Sequence, residues 1–221
     1  AFEKREAKVA DYYFILPQSS YTCYIRLKKH EGFQCPLSIA SIKYFTGKEQ
    51  KNNLAFGFYF GILFVLIFYN LFIYFSLKEK SYLYYILYLC LLMLSTATFK
   101  GFSFQYLWPN TPYVNLFLPS FAAMSLVVMS LFVMSLLQTR IHLPKLTKGL
   151  YLFIGIAILG IIINLFYPII ASKIIQITFL ISAVYIILIG IRSHRKGVKV
   201  AKLFLLAWSF YMLCIIIFFN Q

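Results

Sequence analysis

The sequence predicts an all-α polytopic membrane helical bundle with six visible spans, preceded by a short N-terminal β-sandwich remnant. Of the 221 residues, 62% are hydrophobic and only 12% are charged, whereas soluble proteins average about 25% charged residues. Several uncharged apolar runs are long enough to cross a hydrocarbon core of about 30 Å as helices. The first 50 residues lack such runs and include a stretch that alternates polar and apolar side chains, which is typical of half-buried strands.

Residues 1–50 are predicted to contain three short strands. The clearest of them alternates Cys23, Ile25 and Leu27 with more polar neighbours. Three such strands bury too little apolar surface to fold alone. We therefore interpret this region as the C-terminal part of an extracytoplasmic β-sandwich sensing module, followed by the polar linker Thr46–Asn53. The predicted strands are Tyr12–Leu16, Thr22–Lys28 and Pro36–Phe45.

Two cysteines, Cys23 and Cys35, precede the membrane region. They could pair in an oxidising compartment, and two free thiols are the alternative, because a sequence does not give the geometry that a bridge requires. The chain opens at Ala1 without a basic and apolar leader, for which a mature or cropped fragment is the expected explanation.

The transmembrane bundle is predicted to occupy residues 51–221. Its first span, LAFGFYFGILFVLIFYNLFIYFS, contains no charged residue. Charged turns or loops with glycine and proline separate it from five further apolar runs. The predicted spans cover about 54–76, 82–99, 113–137, 150–166, 174–191 and 203–219.

Basic residues indicate the orientation of this bundle. Lysine and arginine are enriched in cytoplasmic loops, and acidic residues contribute little to the bias. The loops after spans one, three and five are rich in these cations, whereas those after spans two and four hold only Lys100 and Lys173. We therefore expect the N-terminal segment outside the cytoplasm. The densest cytoplasmic basic loop carries Arg192, Arg195, Lys196, Lys199 and Lys202.

Two glycines in the first span are candidates for helix packing. Gly57 and Gly61 form a GxxxG pattern, which lets helix backbones approach closely. Packing against another helix of the same bundle is the expected use of this pattern, and a dimer interface is the alternative.

Polar side chains inside the spans are candidates for signal relay. Asn70, next to Tyr69, needs a hydrogen-bond partner in lipid. We expect a bond to a neighbouring helix ahead of a ligand contact. The same interpretation applies to Asn164 and Gln176.

Nothing in the sequence supports catalysis or a bound cofactor. His30, His142 and His194 have no metal-ligand spacing, and no nucleotide-binding or nucleophile motif occurs. No acidic residue lies inside a span, which argues against proton- or cation-coupled transport. The formal net charge of +15 would suit nucleic acid in a soluble protein. Here the basic residues flank apolar runs, so we expect the lipid bilayer as a partner and no nucleic acid.

A series of short motifs runs through residues 54–221. They are GFYFG at 57–61, the pair Tyr69-Asn70, YLYY at 82–85, KG at 100–101 with QYLWP at 105–109, and Ala207-Trp208 after a basic loop. In this order they resemble the membrane domain of the bacterial seven-transmembrane receptors with diverse intracellular signalling modules (7TMR-DISM). The leading segment resembles the end of that family's periplasmic β-sandwich, which looks like a carbohydrate-binding jelly roll.

This resemblance implies a seven-helix receptor of the bacterial inner (cytoplasmic) membrane, with a periplasmic N-terminal segment and six of its spans visible. A seventh helix would then follow residue 221, and a cytoplasmic signalling module would act in cis or in trans. The chain itself is therefore not expected to be an enzyme. Homodimerisation would suit a kinase or cyclase output, by analogy alone.

We therefore predict a transmembrane signalling receptor fragment that relays an extracytoplasmic ligand signal to a cytoplasmic output module. The expected ligand is a small molecule, with a carbohydrate-like compound as the candidate. The alternative is a membrane transporter or a polysaccharide- or lipid-handling membrane protein, which predicts that Asn70, Asn164 and Gln176 converge near the middle of the bilayer. A structural scaffold, a third class, predicts neither ligand response nor flux.

Overall fold

The computed structural model describes the backbone of residues 39–219 and the side chains of residues 39–111 and 113–209. The described part of the chain folds into seven α-helices joined by short connections. Five helical segments are long and apolar enough to cross a membrane, and the described part of the last helix is also apolar. The predicted all-α polytopic bundle is thereby confirmed. The helices are α1 Ile42–Leu77, α2 Lys80–Phe99, α3 Leu118–Leu136, α4 Thr139–His142, α5 Pro144–Phe166, α6 Pro168–Arg195 and α7 Val200–Phe219.

The first helix begins earlier than predicted. Because α1 starts at Ile42, the strand predicted over Pro36–Phe45 is wrong from that residue onward, and the predicted linker Thr46–Asn53 is helical. The Ser41 side chain caps the helix by accepting a hydrogen bond from Tyr44 N at 3.3 Å. The lysines, glutamate and glutamine that follow are good helix formers. The other two predicted strands and the cysteine pair lie outside the described residues.

Prolines mark the start of two further helices. α5 begins at Pro144 and α6 at Pro168, ahead of the spans predicted from residues 150 and 174. Proline is favoured in the first turn because the N–H that it lacks would have no intrahelical acceptor there. Lys145, Lys148 and Lys173 are therefore part of helices, although they were expected in loops.

α1 reverses directly into α2. Lys78 adopts a left-handed conformation with φ of 54°, and its N–H donates to Tyr74 O at 2.7 Å. This cap closes the last turn of α1 and lets α2 start two residues later. The two helices therefore form a tight antiparallel hairpin.

α3 is the central helix of the bundle. It packs against α2, α5 and α6, while α1 packs on α2 and α7 packs on α6. The main core contains Val133, Leu150 and Ile189, each fully buried on a different helix. α1 lies at the edge of this arrangement, and Leu63 and Asn70 are its buried residues.

The connection between α2 and α3 packs back onto the bundle. Ser103–Leu107 forms a π-helical turn and Pro112–Phe117 a 3-10 turn. Ser103 is buried and its Oγ accepts a hydrogen bond from Thr98 Oγ1 at 3.1 Å. Trp108 Nε1 donates to Asn115 Oδ1 at 2.9 Å and so closes the segment between the two turns.

Candidate functional site

Three connections, α1–α2, α3–α5 and α6–α7, lie at one end of the bundle, which we call the basic end. Exposed lysines and arginines surround it, and Glu79 is the one acidic residue there in the described part of the chain. Because these cations flank apolar helices, this end lies where headgroups and water meet. The cations are Lys78, Lys80, Arg140, Lys145, Lys148, Arg192, Arg195, Lys196, Lys199 and Lys202.

The predicted basic loop is shorter than the sequence suggested. Arg192 and Arg195 belong to the last turn of α6, and Lys202 belongs to the first turn of α7. The connection itself contains Lys196 and Lys199. Placing cations in the last turn of α6 is favourable because the C-terminal end of a helix carries a partial negative charge.

Polar contacts tie α4, α5 and α6 together at the basic end. Lys196 Nζ donates to His142 O. Thr147 Oγ1 donates to Thr139 Oγ1 at 3.0 Å, and both threonines are buried. These contacts hold the connection between α3 and α5 against the end of α6.

A glycine makes room for a third contact of this kind. Tyr185 Oη, on α6, donates to Leu146 O, on α5, at 2.9 Å. The tyrosine ring lies over Gly149, where an added Cβ would overlap Tyr185 Oη. With the ring in this position only glycine fits beneath it, because a Cβ would overlap the ring atoms.

Beside this tied region, a cleft of about 640 Å³ opens at the basic end. It lies between the α1–α2 hairpin, the end of α3 and the start of α7, and we call it the basic-end cleft. Its lining combines amide, hydroxyl, charged, aromatic and aliphatic groups, which are Asn70, Glu79, Lys80, Ser81, Tyr82, Tyr85, Phe132, Ser135, Leu136, Gln138 and Val200. Of the predicted relay candidates, Asn70 alone lines it.

Asn70 brings an incompletely bonded amide to the cleft. The residue is 8% exposed, and its Nδ2 donates to Leu66 O, in the same helix, at 2.8 Å. The predicted bond to a neighbouring helix is therefore wrong, because a carbonyl one turn back is within reach. Oδ1 accepts no hydrogen bond from any residue that the structure describes. A buried amide in this state has capacity for a ligand or water.

The start of α2 also opens into the cleft. Glu79 is the N-cap residue of α2, but its side chain makes no capping bond and instead accepts from Ser81 Oγ at 3.5 Å. In the described part of the chain, no group accepts a hydrogen bond from the backbone N–H of Lys80 or Ser81. The first turn of α2 thus presents free donors beside one ammonium group and one carboxylate.

The opposite end of the bundle holds a second polar cluster. Asn164 Nδ2, near the end of α5, donates to Ser120 Oγ at 3.0 Å and to Leu116 O at 3.3 Å. This is the helix-to-helix bond that the sequence predicted for Asn164. Its Oδ1 is buried and has no partner among the described residues. The cluster joins α5 to the start of α3.

The remaining relay candidates do not meet other polar groups. Tyr69 is 63% exposed, and Gln176 is also exposed. A Cβ added at Gly57 or Gly61 would meet no atom within 4 Å, so no described helix packs on the GxxxG pair as expected. In a membrane these positions face lipid or a partner outside the described residues.

The three amides do not converge. Asn70 lies seven residues before the end of α1 at the basic end, and Asn164 lies two residues before the end of α5 at the opposite end. At 1.5 Å of rise per residue, each is within about 11 Å of its own end of the bundle. The polar centre that a transporter would require from these residues is not formed.

No group of three histidine, cysteine or acidic side chains lies together in the described part of the chain, so no metal site is assigned.

Several residues that shape the two ends were missed by sequence reasoning, namely Thr139, Thr147, Gly149, Tyr185, Trp108 and Asn115. Glu79 could have been recognised as a candidate site residue from the sequence, because it is the one acidic residue after the first span.

Comparison with known proteins identifies the family. Residues 52–221 match the family model described as 7TM diverse intracellular signalling. No curated protein matches the chain, and no solved structure matches it either. The match covers well over half of the chain, from within α1 through the described part of α7. The chain therefore belongs to the 7TM diverse intracellular signalling (7TMR-DISM) family, and it is a multi-pass membrane protein of the signalling receptor kind.

Proposed function

We propose that this receptor relays the binding of a small extracytoplasmic ligand, with a carbohydrate-like molecule as the candidate, to a cytoplasmic output module. The module acts in cis or in trans, and this chain contributes no catalytic group of its own. The receptor resides in the bacterial inner membrane with its N-terminal segment in the periplasm. Family membership supports the signalling class, and the following features of the bundle support the relay.

The distribution of cations supports the proposed orientation. The basic end carries most of the described lysines and arginines, and the cytoplasmic side of membrane proteins is enriched in these residues. Residues 39–41, which lead into α1, lie at the other end of that helix. The basic-end cleft would then face the cytoplasm, where an output module could detect its shape.

The observation on which the proposal depends is the length of α1. This helix is continuous over 36 residues, which corresponds to about 54 Å, whereas a bilayer core requires about 20 residues. Its first twelve residues, 42–53, include Lys43, Lys48, Glu49 and Lys51 and extend beyond the apolar span. One continuous helix therefore connects the N-terminal segment before residue 42 with Asn70 in the basic-end cleft.

α1 is also the least buried of the five described helices that are long and apolar enough to cross a membrane. It packs mainly on α2, and its polar contact with that helix is Tyr59 Oη to Thr96 Oγ1 at 3.4 Å. A helix attached along one side can shift or rotate with modest loss of contacts. A shift of α1 would move Asn70 and change the cleft.

A ligand drives such a change only if it binds the two helix arrangements with different affinity. Each factor of ten in that ratio corresponds to about 1.4 kcal/mol of shift in the equilibrium. The N-terminal segment before α1 would supply the ligand contacts that differ in strength between the two helix arrangements. α1 would transmit the displacement to the basic end. The separation of Asn70 from Asn164 favours this mechanism over transport, because the two amides lie near opposite ends of the bundle and do not form one polar site.

The relay can be tested in full-length protein reconstituted in nanodiscs. Spin labels at Leu77→Cys and Lys199→Cys, in a background without the native cysteines, would report distances across the basic end. Nanobodies selected on the full-length protein and mapped to residues 1–38 would serve as surrogate ligands. We expect at least one of them to shift the distance distribution by several ångströms.

Matched insertions in α1 test whether this helix transmits the shift in distance. A seven-residue glycine-serine insertion between Gln50 and Lys51 should abolish the shift, because it breaks the helix outside the membrane. A seven-residue insertion of alanine, glutamate and lysine should preserve it, because two helical turns keep the phase of α1. A distance distribution that no outer binder changes would contradict the relay, and a shift that survives the flexible insertion would exclude α1 as its path.

A further inference from the structure

The basic-end cleft has unmet hydrogen-bonding capacity of both kinds. Asn70, nine-tenths buried, presents an Oδ1 that accepts no bond from a described residue. The backbone N–H groups of Lys80 and Ser81 point from the uncapped first turn of α2 without an acceptor in the described part of the chain. An occupant that carries both a hydrogen-bond donor and an anionic acceptor would satisfy these groups together.

The charges in the cleft are also of both signs. Glu79 stands next to Lys80, and both line the cleft, while exposed cations dominate the surrounding surface. A purely anionic occupant would be attracted by Lys80 and by the first turn of α2, but it would leave the Glu79 carboxylate facing a second negative charge. A zwitterion with a positive group beside its anion fits both.

The position of the cleft indicates where this zwitterion comes from. α1 packs mainly on α2 and α7 mainly on α6, so the cleft is bordered by two helices that do not pack closely on each other. It lies at the level of the helix ends, which is the headgroup region of a bilayer. Its walls include the rings of Tyr82, Tyr85 and Phe132. The ring centroids of Tyr85 and Phe132 lie 5.1 Å apart. Aromatic walls of this kind are typical of the interface between lipid and water.

We propose that the basic-end cleft binds the headgroup of a membrane phospholipid that joins a phosphodiester to a primary ammonium, as in phosphatidylethanolamine. The ammonium donates to Glu79 and to Asn70 Oδ1. The phosphate accepts from the first-turn N–H groups of α2 and pairs with Lys80. The acyl chains remain in the bilayer beside α1. This inference concerns binding alone and stands whether or not the helices relay a signal.

The chemistry distinguishes this headgroup from its relatives. A choline headgroup has the same phosphate and a positive charge but no N–H to donate, so it makes no hydrogen bond to Glu79 or Asn70. A glycerol headgroup has hydroxyls but no positive charge for Glu79. Because hydrogen bonds to charged groups are stronger than those between neutral groups, we expect about tenfold or greater preference for the ethanolamine lipid.

The test uses the full chain, purified and delipidated, and counts bound lipids by native mass spectrometry. Ethanolamine, choline and glycerol phospholipids with identical acyl chains are titrated in turn. We expect one ethanolamine lipid to bind about tenfold more tightly than the other two, in keeping with the charged hydrogen bonds it makes. Equal binding of the three lipids would overturn the proposal.

Variants locate the site. Glu79→Gln should remove the preference for ethanolamine over glycerol lipid, because the carboxylate no longer discriminates the positive charge. Lys148→Gln, which removes an exposed cation of the basic end outside the cleft, should leave that preference unchanged. Asn70→Leu should weaken the binding of the ethanolamine lipid more than the binding of the other two lipids. If the Asn70 variant does not fold, the Glu79 variant decides, because Glu79 is exposed and caps nothing.

The source of the headgroup is tested by competition. Soluble glycerophosphoethanolamine offers the same phosphate and ammonium without acyl chains. At concentrations equal to that of the lipid it should not displace bound phosphatidylethanolamine, because it lacks the chains that stay in the bilayer. Displacement at equal concentration would show that the cleft binds a free metabolite and would overturn the assignment to lipid.

Discussion

The contact between Gly149 and Tyr185 allows a sharp test of the packing between α5 and α6. In Gly149→Ala the new Cβ would overlap Tyr185 Oη and would lie 2.5 Å from Cζ. Because these atoms are at the far end of a side chain, the ring is expected to swing away while the helices stay in place. Tyr185 then loses its hydrogen bond to Leu146 O and its edge contact with Phe153, whose ring centroid is 5.4 Å away.

The size of the effect follows from these two losses and one gain. A side-chain hydrogen bond between membrane helices contributes about 0.6 kcal/mol on average and about 1.7 at most. An aromatic pair adds about 0.5–1.5 kcal/mol. Replacing glycine by alanine inside a helix returns about 0.5–1 kcal/mol. We therefore expect Gly149→Ala to lower the free energy of unfolding by about 0.5–2 kcal/mol on balance.

Gly155→Ala is the matched control, because it lies on the same helix and its added Cβ would meet no atom within 4 Å. It should leave stability unchanged or raise it slightly. In the Tyr185→Ala background, Gly149→Ala should also cease to destabilise, because the ring that it displaces is gone. Unfolding measured by steric trapping in bicelles would supply the four free energies of the double-mutant cycle. Equal effects of the two glycine substitutions, or a cost that persists without the Tyr185 ring, would refute the reasoning.

Three further predictions concern other parts of the bundle. Asn164→Leu removes two hydrogen bonds between α5 and the start of α3 and should lower the free energy of unfolding by about 1–2 kcal/mol, whereas Ser120→Ala removes one and should cost about half as much in the same unfolding assay. Gly190→Leu should separate α6 from α7, because a Cβ there already lies 2.7 Å from Leu205 Cδ2; a fall in the thermal midpoint checks it. Cysteines at Lys148 and Gln105 should react with impermeant maleimide from opposite faces of the membrane, and labelling of both in intact spheroplasts would contradict the proposed orientation.

Most of the spans could be predicted because length and hydropathy determine them. α2 and α7 were located to within a few residues, since charged turns bound their apolar runs on one side. The start of α1 could not be found in this way, because residues 42–53 are polar and their helicity depends on propensity and on the Ser41 cap. The same limit applies to α5 and α6, where a lysine in the first two turns made the predicted span begin about two turns after the proline that starts the helix.

The site was less accessible to prediction than the fold. Asn70 and Asn164 were both recognised as polar groups in lipid, yet one bonds within its own helix and the other to a neighbouring helix. Sequence spacing does not distinguish these outcomes, because each depends on which carbonyl or hydroxyl lies nearest in three dimensions. The basic-end cleft combines residues from three parts of the chain that are far apart in sequence, namely the α1–α2 hairpin, the end of α3 and the start of α7, so no local pattern indicates it.

The hydrogen bond that Asn70 makes explains why α1 is suited to transmit motion. An amide bonded to another helix would add about 0.6–1.7 kcal/mol to the cost of moving α1. Because Nδ2 donates to Leu66 O instead, the bond travels with the helix and opposes no displacement. Asn70 Oδ1 is then available to accept a hydrogen bond from an occupant of the cleft. An occupant that bonds Asn70 together with Lys80 or Glu79 would link the position of α1 to the start of α2, and so would favour the helix arrangement in which both reach it.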